Sequence, residues 1–126
     1  MSISFRDSLN QSKKNYEHND YVDSKLKNIG NLFNNTNNNF ILNIYNNLCD
    51  NYKSIKEDDN IDLIIFLIFI FVKNNVNMEE LDKIYLKNED KIKEIFNNDS
   101  QYLPIIFFTY ANKLNNLGIK DIIKNI

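Results

Sequence analysis

Apolar residues recur at helical spacing along most of the chain, and this pattern predicts an all-α protein. A first segment, with Phe5, Leu9 and Tyr16, is only weakly periodic. Asp20 is a candidate N-cap for a second helix, because the apolar residues after it follow at steps of four, three and four. These are Val22, Leu26, Ile29 and Phe33. Residues 15–20 are then a polar junction between the first two helices.

The middle of the chain predicts a helix that is apolar on every face. Residues 34–39 form a polar loop that supplies the N-cap of the next helix, and a stripe of period near 3.6 follows from Ile41 to Ile55. After residues 56–60 come ten uninterrupted apolar residues, 63–72. We favour a helix over a strand for this run, because its neighbours are helical and a single strand would have nothing to pair with. A wholly apolar helix, at about 61–73, should lie at the centre of the fold.

Three further helices are predicted by capping signals in the second half of the chain. Asn77 opens one helix with a capping box. Asp99 or Ser100 caps the next, and Pro104 lies in its first turn, where a missing N–H matters least. Gly118 is the expected left-handed stop before a short final helix. The prediction is a compact single-domain bundle of six or seven helices that takes in all of residues 1–126.

Length and charge exclude several classes of protein. A chain of 126 residues with a net charge of −2 has the size of one domain, and it has no basic face of the kind that nucleic-acid binders carry. A membrane-spanning helix needs about 20 apolar residues, and the uninterrupted apolar run at residues 63–72 has only ten. Cys49 is the only cysteine, and no apolar signal-peptide core follows Met1. We expect a cytoplasmic protein, or one of the host cytosol if the source is viral.

Asparagine and isoleucine dominate the composition, with 25 and 19 residues against one alanine and one arginine. This bias is typical of translated AT-rich DNA, and we interpret it as genome composition before function. A low-GC bacterium or its phage, a protist and a DNA virus all fit.

Catalytic and cofactor-binding patterns are not apparent, so we expect neither an enzyme nor a cofactor. His18 is the sole histidine and has only Glu17 and Asp20 beside it. Two glycines are too few for a phosphate-binding loop. Cys49 lies late in its predicted helix, where the helix dipole does not activate a thiol.

An acidic cluster and two tyrosines are the candidate partner-binding residues. The cluster comprises Glu57, Asp58 and Asp59, and it precedes the apolar helix. Carboxylates at this position favour the helix dipole and can cap exposed N–H groups, and they can also recognise a basic partner. Tyr45 and Tyr52 lie seven residues apart on one predicted helix. Both fit the edge of a core or the wall of a groove.

These features predict a non-catalytic interaction module of inhibitor, immunity or host-modulating type, which binds another protein through a helical groove or face. One alternative is a metal-binding or small-ligand-binding domain that uses His18 and the acidic cluster at residues 57–62. Another is a homo-oligomer that associates through an apolar groove. Thermal stabilisation by a divalent metal would favour the first alternative, because a ligand of the folded state raises stability by mass action.

A bundle of about seven helices around one wholly apolar helix is similar to the Bcl-2-like fold. Residues 62–73 correspond to the central helix of that fold. The resemblance implies an inhibitor of apoptotic or immune signalling of the kind that DNA viruses encode. It is a resemblance of layout, because the Gly-Arg signature of that family is absent from this sequence.

Overall fold

The computed structural model describes residues 5–34, 37–74, 76–96 and 101–126, with the side chains of residues 5 and 7–18 left undescribed. These ranges contain seven α-helices and no strand. A single 3-10 turn, Met78–Glu80, leads directly into the fifth helix. The helices are α1 (Phe5–Phe33), α2 (Asn38–Asn51), α3 (Lys53–Lys56), α4 (Ile61–Asn74), α5 (Leu81–Phe96), α6 (Leu103–Asn116) and α7 (Ile119–Asn125).

The apolar helix α4 lies at the centre of this bundle, as the sequence predicts. Ten of its residues are buried, and α1, α2, α6 and α7 pack against it. The ring of Phe66 lies 4.4 Å from that of Phe33 in α1 and 6.1 Å from that of Phe107 in α6. Burial of each large apolar side chain stabilises the fold by about 1.5–3 kcal/mol, so α4 supplies much of the hydrophobic driving force.

The first two predicted helices are one continuous helix, α1, which corrects the sequence interpretation. Asp20 is an exposed residue inside this helix and caps nothing. The polar junction contains no proline or glycine, and asparagine and aspartate lower helix stability by less than about 1 kcal/mol each. The apolar face that begins at Val22 packs against the core, and this packing offsets the loss of helix stability.

The single helix predicted from Ile41 to Ile55 is in fact two, because the chain becomes extended at Tyr52 (φ −135°, ψ 98°). The Tyr52 hydroxyl donates to the carbonyl of Leu117 at 3.4 Å, and Ile55 is fully buried after the break. Tertiary contacts therefore favour the break, although no proline or glycine marks it in the sequence.

Most of the predicted end signals appear at the expected positions. Asn37 accepts hydrogen bonds from the N–H groups of residues 39 and 40, and Asn77 accepts one from the N–H of residue 80 at 3.0 Å. Pro104 lies in the first turn of α6, and Gly118 has a left-handed φ of 77°. The predicted caps Asp99 and Ser100 lie outside the described residues.

In the described part of the chain, no one helix has both the length and the apolar character needed to cross a membrane. Only Ile61–Asn74 taken together with Met78–Phe96 satisfies those two criteria, as a pair bent by 113°.

Candidate functional site

The two candidate partner-binding tyrosines, Tyr45 and Tyr52, differ in exposure, and for Tyr52 a role in binding stays a prediction. Tyr45 is fully buried, and burial together with the neighbouring Cys49 thiol raises the pKa of its hydroxyl. This corrects its prediction as a binding residue, since a buried ring cannot contact a partner. Tyr52 is half-buried, and its hydroxyl donates to the Leu117 carbonyl at the C-terminal end of α6.

Cys49 is a half-buried thiol that packs beside Tyr45. Burial raises the pKa of Cys49, and the hydrogen bond with Tyr45 only partly offsets this effect. A thiol with a raised pKa carries little thiolate at neutral pH and is a poor nucleophile.

Asp58 is the centre of a polar network between the α3–α4 loop and α6. Its carboxylate accepts hydrogen bonds from the Tyr110 hydroxyl at 2.8 Å and from Lys113 Nζ at 3.1 Å. It also accepts from the backbone N–H of Asn60 at 2.8 Å, whose side-chain amide donates to the Tyr110 hydroxyl. Burial raises the pKa of Asp58, but these hydrogen bonds outweigh it and hold the pKa below its ordinary value. Asp58 therefore joins two elements of the fold.

The remaining acidic residues have separate environments. Glu57 and Asp59 are exposed, and Glu57 lies 3.7 Å from Lys53 in a solvent-exposed ion pair. Asp62 lies in the first turn of α4 and pairs with Lys25 of α1 at 3.4 Å. Asp62 therefore ties α4 to α1 and Asp58 ties the preceding loop to α6, whereas Glu57 and Asp59 are exposed to a basic partner.

The structure offers no metal site within the described residues, where no three histidine, cysteine, aspartate or glutamate side chains gather closely enough to hold an ion. His18 lies along α1, but its side chain is outside the described part of the structure. The proposed combination of His18 with residues 57–62 thus stays a prediction.

A cleft of about 260 Å³ lies where the end of α1 meets α4 and α5. Aromatic and aliphatic side chains supply its apolar lining, and asparagine and lysine side chains supply its polar lining. The apolar residues are Phe33, Phe66, Phe69, Ile70 and Ile84, and the polar residues are Asn34, Lys73, Asn74, Lys87, Asn88 and Lys91. We refer to these eleven residues as the lysine cleft.

Positive charge is concentrated in the lysine cleft although the whole chain is slightly acidic. Three lysines line it, and none of its lining residues is a carboxylate. Lys73 Nζ donates to the carbonyls of Phe33 and Asn34 at 2.9 and 3.1 Å, and Lys91 Nζ lies 5.0 Å from the centre of the Phe33 ring. Lys73 thereby binds the negative end of the α1 dipole. The cleft combines an apolar surface with cations that attract an anion.

The sequence contains weak signals for this cleft. Lys73 appears as the polar end of the apolar run, and Asn88 as a polar gap in the stripe of α5. Lys87 and Lys91 are four residues apart, which places both on one face of a helix. These residues come together because α1, α4 and α5 pack near one another, and the spacing of residues in the sequence does not show this packing.

A second feature of the surface is a set of exposed large apolar side chains outside the cleft. Leu86 in α5 and Ile105 in α6 are 69% and 64% exposed, and Tyr102 before α6 is 59% exposed. Single exposed apolar side chains are common on protein surfaces and need no function. The lysine cleft is the better candidate, because convergent polar groups next to an apolar cavity are typical of binding sites.

Comparisons with protein-family models, with curated proteins and with solved structures find no match to this chain. The lysine cleft is therefore interpreted from its own chemistry.

Proposed function

We propose that this protein is a non-catalytic interaction module that binds another protein at the lysine cleft. The observation that carries the proposal is the concentration of three lysines around an apolar cavity with no carboxylate in its lining. Such a cavity favours a ligand that combines negative charge with an apolar group. We place the protein among small intracellular proteins of inhibitor, immunity or host-modulating type, and its single cysteine is typical of a reducing compartment.

The size of the cavity is compatible with a side chain inserted by a protein partner. Pockets that enclose drug-sized ligands measure about 300–1,000 Å³. At about 260 Å³ the lysine cleft lies just below that range, and it accommodates one inserted side chain. Hot spots of protein–protein interfaces typically bury an anchor side chain of one partner in a pocket of the other.

The composition of the cleft also supports a binding role over a catalytic one. Its polar lining consists of asparagine amides and lysine amines, without a histidine, cysteine or carboxylate. Asn74 and Asn88 donate their amide hydrogens to carbonyls of their own helices, at 3.2 and 2.9 Å. Proton transfer in enzymes is mostly carried out by groups that this lining lacks.

The proposal can be tested by affinity capture from lysate of the source organism, or of its host, with quantitative mass spectrometry. The full chain is compared with the double variant Lys87→Glu/Lys91→Glu, which reverses charge inside the cleft. The matched control is Lys83→Glu/Lys124→Glu, which makes the same change in net charge at two exposed lysines outside the cleft. We expect a stoichiometric partner that the cleft variant loses and the control retains. A partner that both variants capture equally well would overturn the proposal.

A further inference from the structure

Positive charge reaches the lysine cleft from two different helices. Lys73 lies near the C-terminal end of α4, which also supplies Phe66 and Ile70 of the apolar lining. Lys87 and Lys91 lie one turn apart on α5. A ligand that inserts an apolar group between these helices meets cations from both. Its negative charges are therefore best placed on either side of the inserted group.

The three lysines differ in the contacts that their side chains already make, and therefore in how readily each can bind a ligand. Lys73 is engaged by two carbonyls at the end of α1, and Lys91 lies over the Phe33 ring. Lys87 is exposed and makes no hydrogen bond or ion pair with any residue that the structure describes. A bound anion would thus pair first with Lys87, and with Lys91 next.

We infer that the occupant of the cleft is an acidic segment of another protein that inserts one large apolar side chain, with carboxylates before and after it. This inference rests on the proposed function and specifies the chemistry of the partner. Charge complementarity with Lys87 and Lys91 supports it, as does a cavity sized for one side chain. A nucleic acid fits less well, because nucleic-acid binders carry an extended basic face, whereas the three lysines of the cleft surround one cavity of about 260 Å³.

The experiment is a titration of the isotopically labelled full chain with synthetic peptides, followed by amide NMR shifts. The first probe is the capped pentapeptide Glu-Asp-Phe-Glu-Asp. Two matched probes each remove one feature: Gln-Asn-Phe-Gln-Asn removes the charge, and Glu-Asp-Ser-Glu-Asp removes the anchor. We expect the first probe to shift amides of α4 and α5 around the cleft and to bind at least about tenfold more tightly than either matched probe. We also expect Lys87→Glu/Lys91→Glu to abolish its binding and Lys83→Glu/Lys124→Glu to preserve it.

Several results would overturn the inference. Equal binding of the neutral peptide would show that charge does not select the ligand, and equal binding of the serine peptide would show that no anchor is inserted. Phenylacetate is a further probe, because it carries a ring and a carboxylate in one small molecule. If it binds the cleft as tightly as the first peptide, the site takes small acids and the inference is wrong. If none of the peptides binds while capture from lysate still depends on Lys87 and Lys91, the proposed function is retained and only the inferred chemistry of the partner is wrong.

Discussion

At the scale of single residues, Asp58 shows how one carboxylate stabilises a junction between elements. Its side chain is only 12% exposed and accepts hydrogen bonds from Tyr110, Lys113 and the N–H of Asn60. We expect Asp58→Ala to lower the free energy of unfolding by about 1–3 kcal/mol, because it leaves these donors without their charged acceptor. Asp59→Ala, at the exposed neighbour, should change it by less than about 0.5 kcal/mol. Urea denaturation at neutral pH measures both, and equal effects would contradict this role.

The lowered pKa of Asp58 also predicts how stability depends on pH. A carboxyl whose pKa is lower in the folded state stabilises that state above its ordinary pKa of about 3.9. This contribution is lost as the pH falls through the folded-state value. The wild type should therefore lose more stability than Asp58→Asn between about pH 6 and pH 3. Denaturation curves across that range test the difference, and parallel losses in the two proteins would count against it.

At the scale of elements, Lys73 couples the lysine cleft to the end of α1. Its amine holds the carbonyls of Phe33 and Asn34, and Asn34 adopts a left-handed φ of 56°. We expect Lys73→Met to destabilise this helix end by about 0.5–1 kcal/mol, because a cation at a helix C-terminus interacts favourably with the dipole. Hydrogen exchange in the last turn of α1 should then become faster. Lys87→Met is the matched control in the same cleft. If Lys87→Met accelerates hydrogen exchange in the last turn of α1 to a similar extent, the stabilisation of this helix end is not specific to Lys73.

Prediction from sequence succeeded where a local signal determines the structure of an element. The apolar run of α4, the caps at Asn37 and Asn77 and the left-handed Gly118 each depend on residues close in the chain. It failed at the break at Tyr52, which is held by Leu117, 65 residues away. Spacing rules contain no information on such a contact.

The same reasoning explains why the candidate site was only partly predictable. Charge and ring type marked Asp58 and Tyr45 as binding residues, but burial and hydrogen bonds place both in the structural framework. The lysine cleft depends on three helices whose approach follows from packing against α4. No pattern within α5 alone distinguishes Lys87 and Lys91 from other surface lysines.

At the scale of the whole molecule, the bundle depends on the burial of α4. Phe66 is 1% exposed and packs between Phe33 and Phe107. We expect Phe66→Asp to unfold the protein, because it removes about 3–5 kcal/mol of packing and buries an unpaired charge. Phe66→Leu should stay folded, with a loss of about 1–2 kcal/mol. Circular dichroism and thermal melting distinguish these outcomes, and an unchanged melting temperature for Phe66→Asp would refute the central position of α4.

We propose that the lysine cleft binds the partner, and the Kd of the captured partner for two charge-matched variants tests this proposal. Calorimetry would compare Lys87→Glu/Lys91→Glu with Lys83→Glu/Lys124→Glu, after melting curves show that both are folded. We expect the cleft variant to bind the partner at least about tenfold more weakly than the wild type does, while the Kd of the control changes by less than about twofold. Equal losses in the two variants would mean that net charge alone governs binding, and no loss in either would place the partner elsewhere on the molecule.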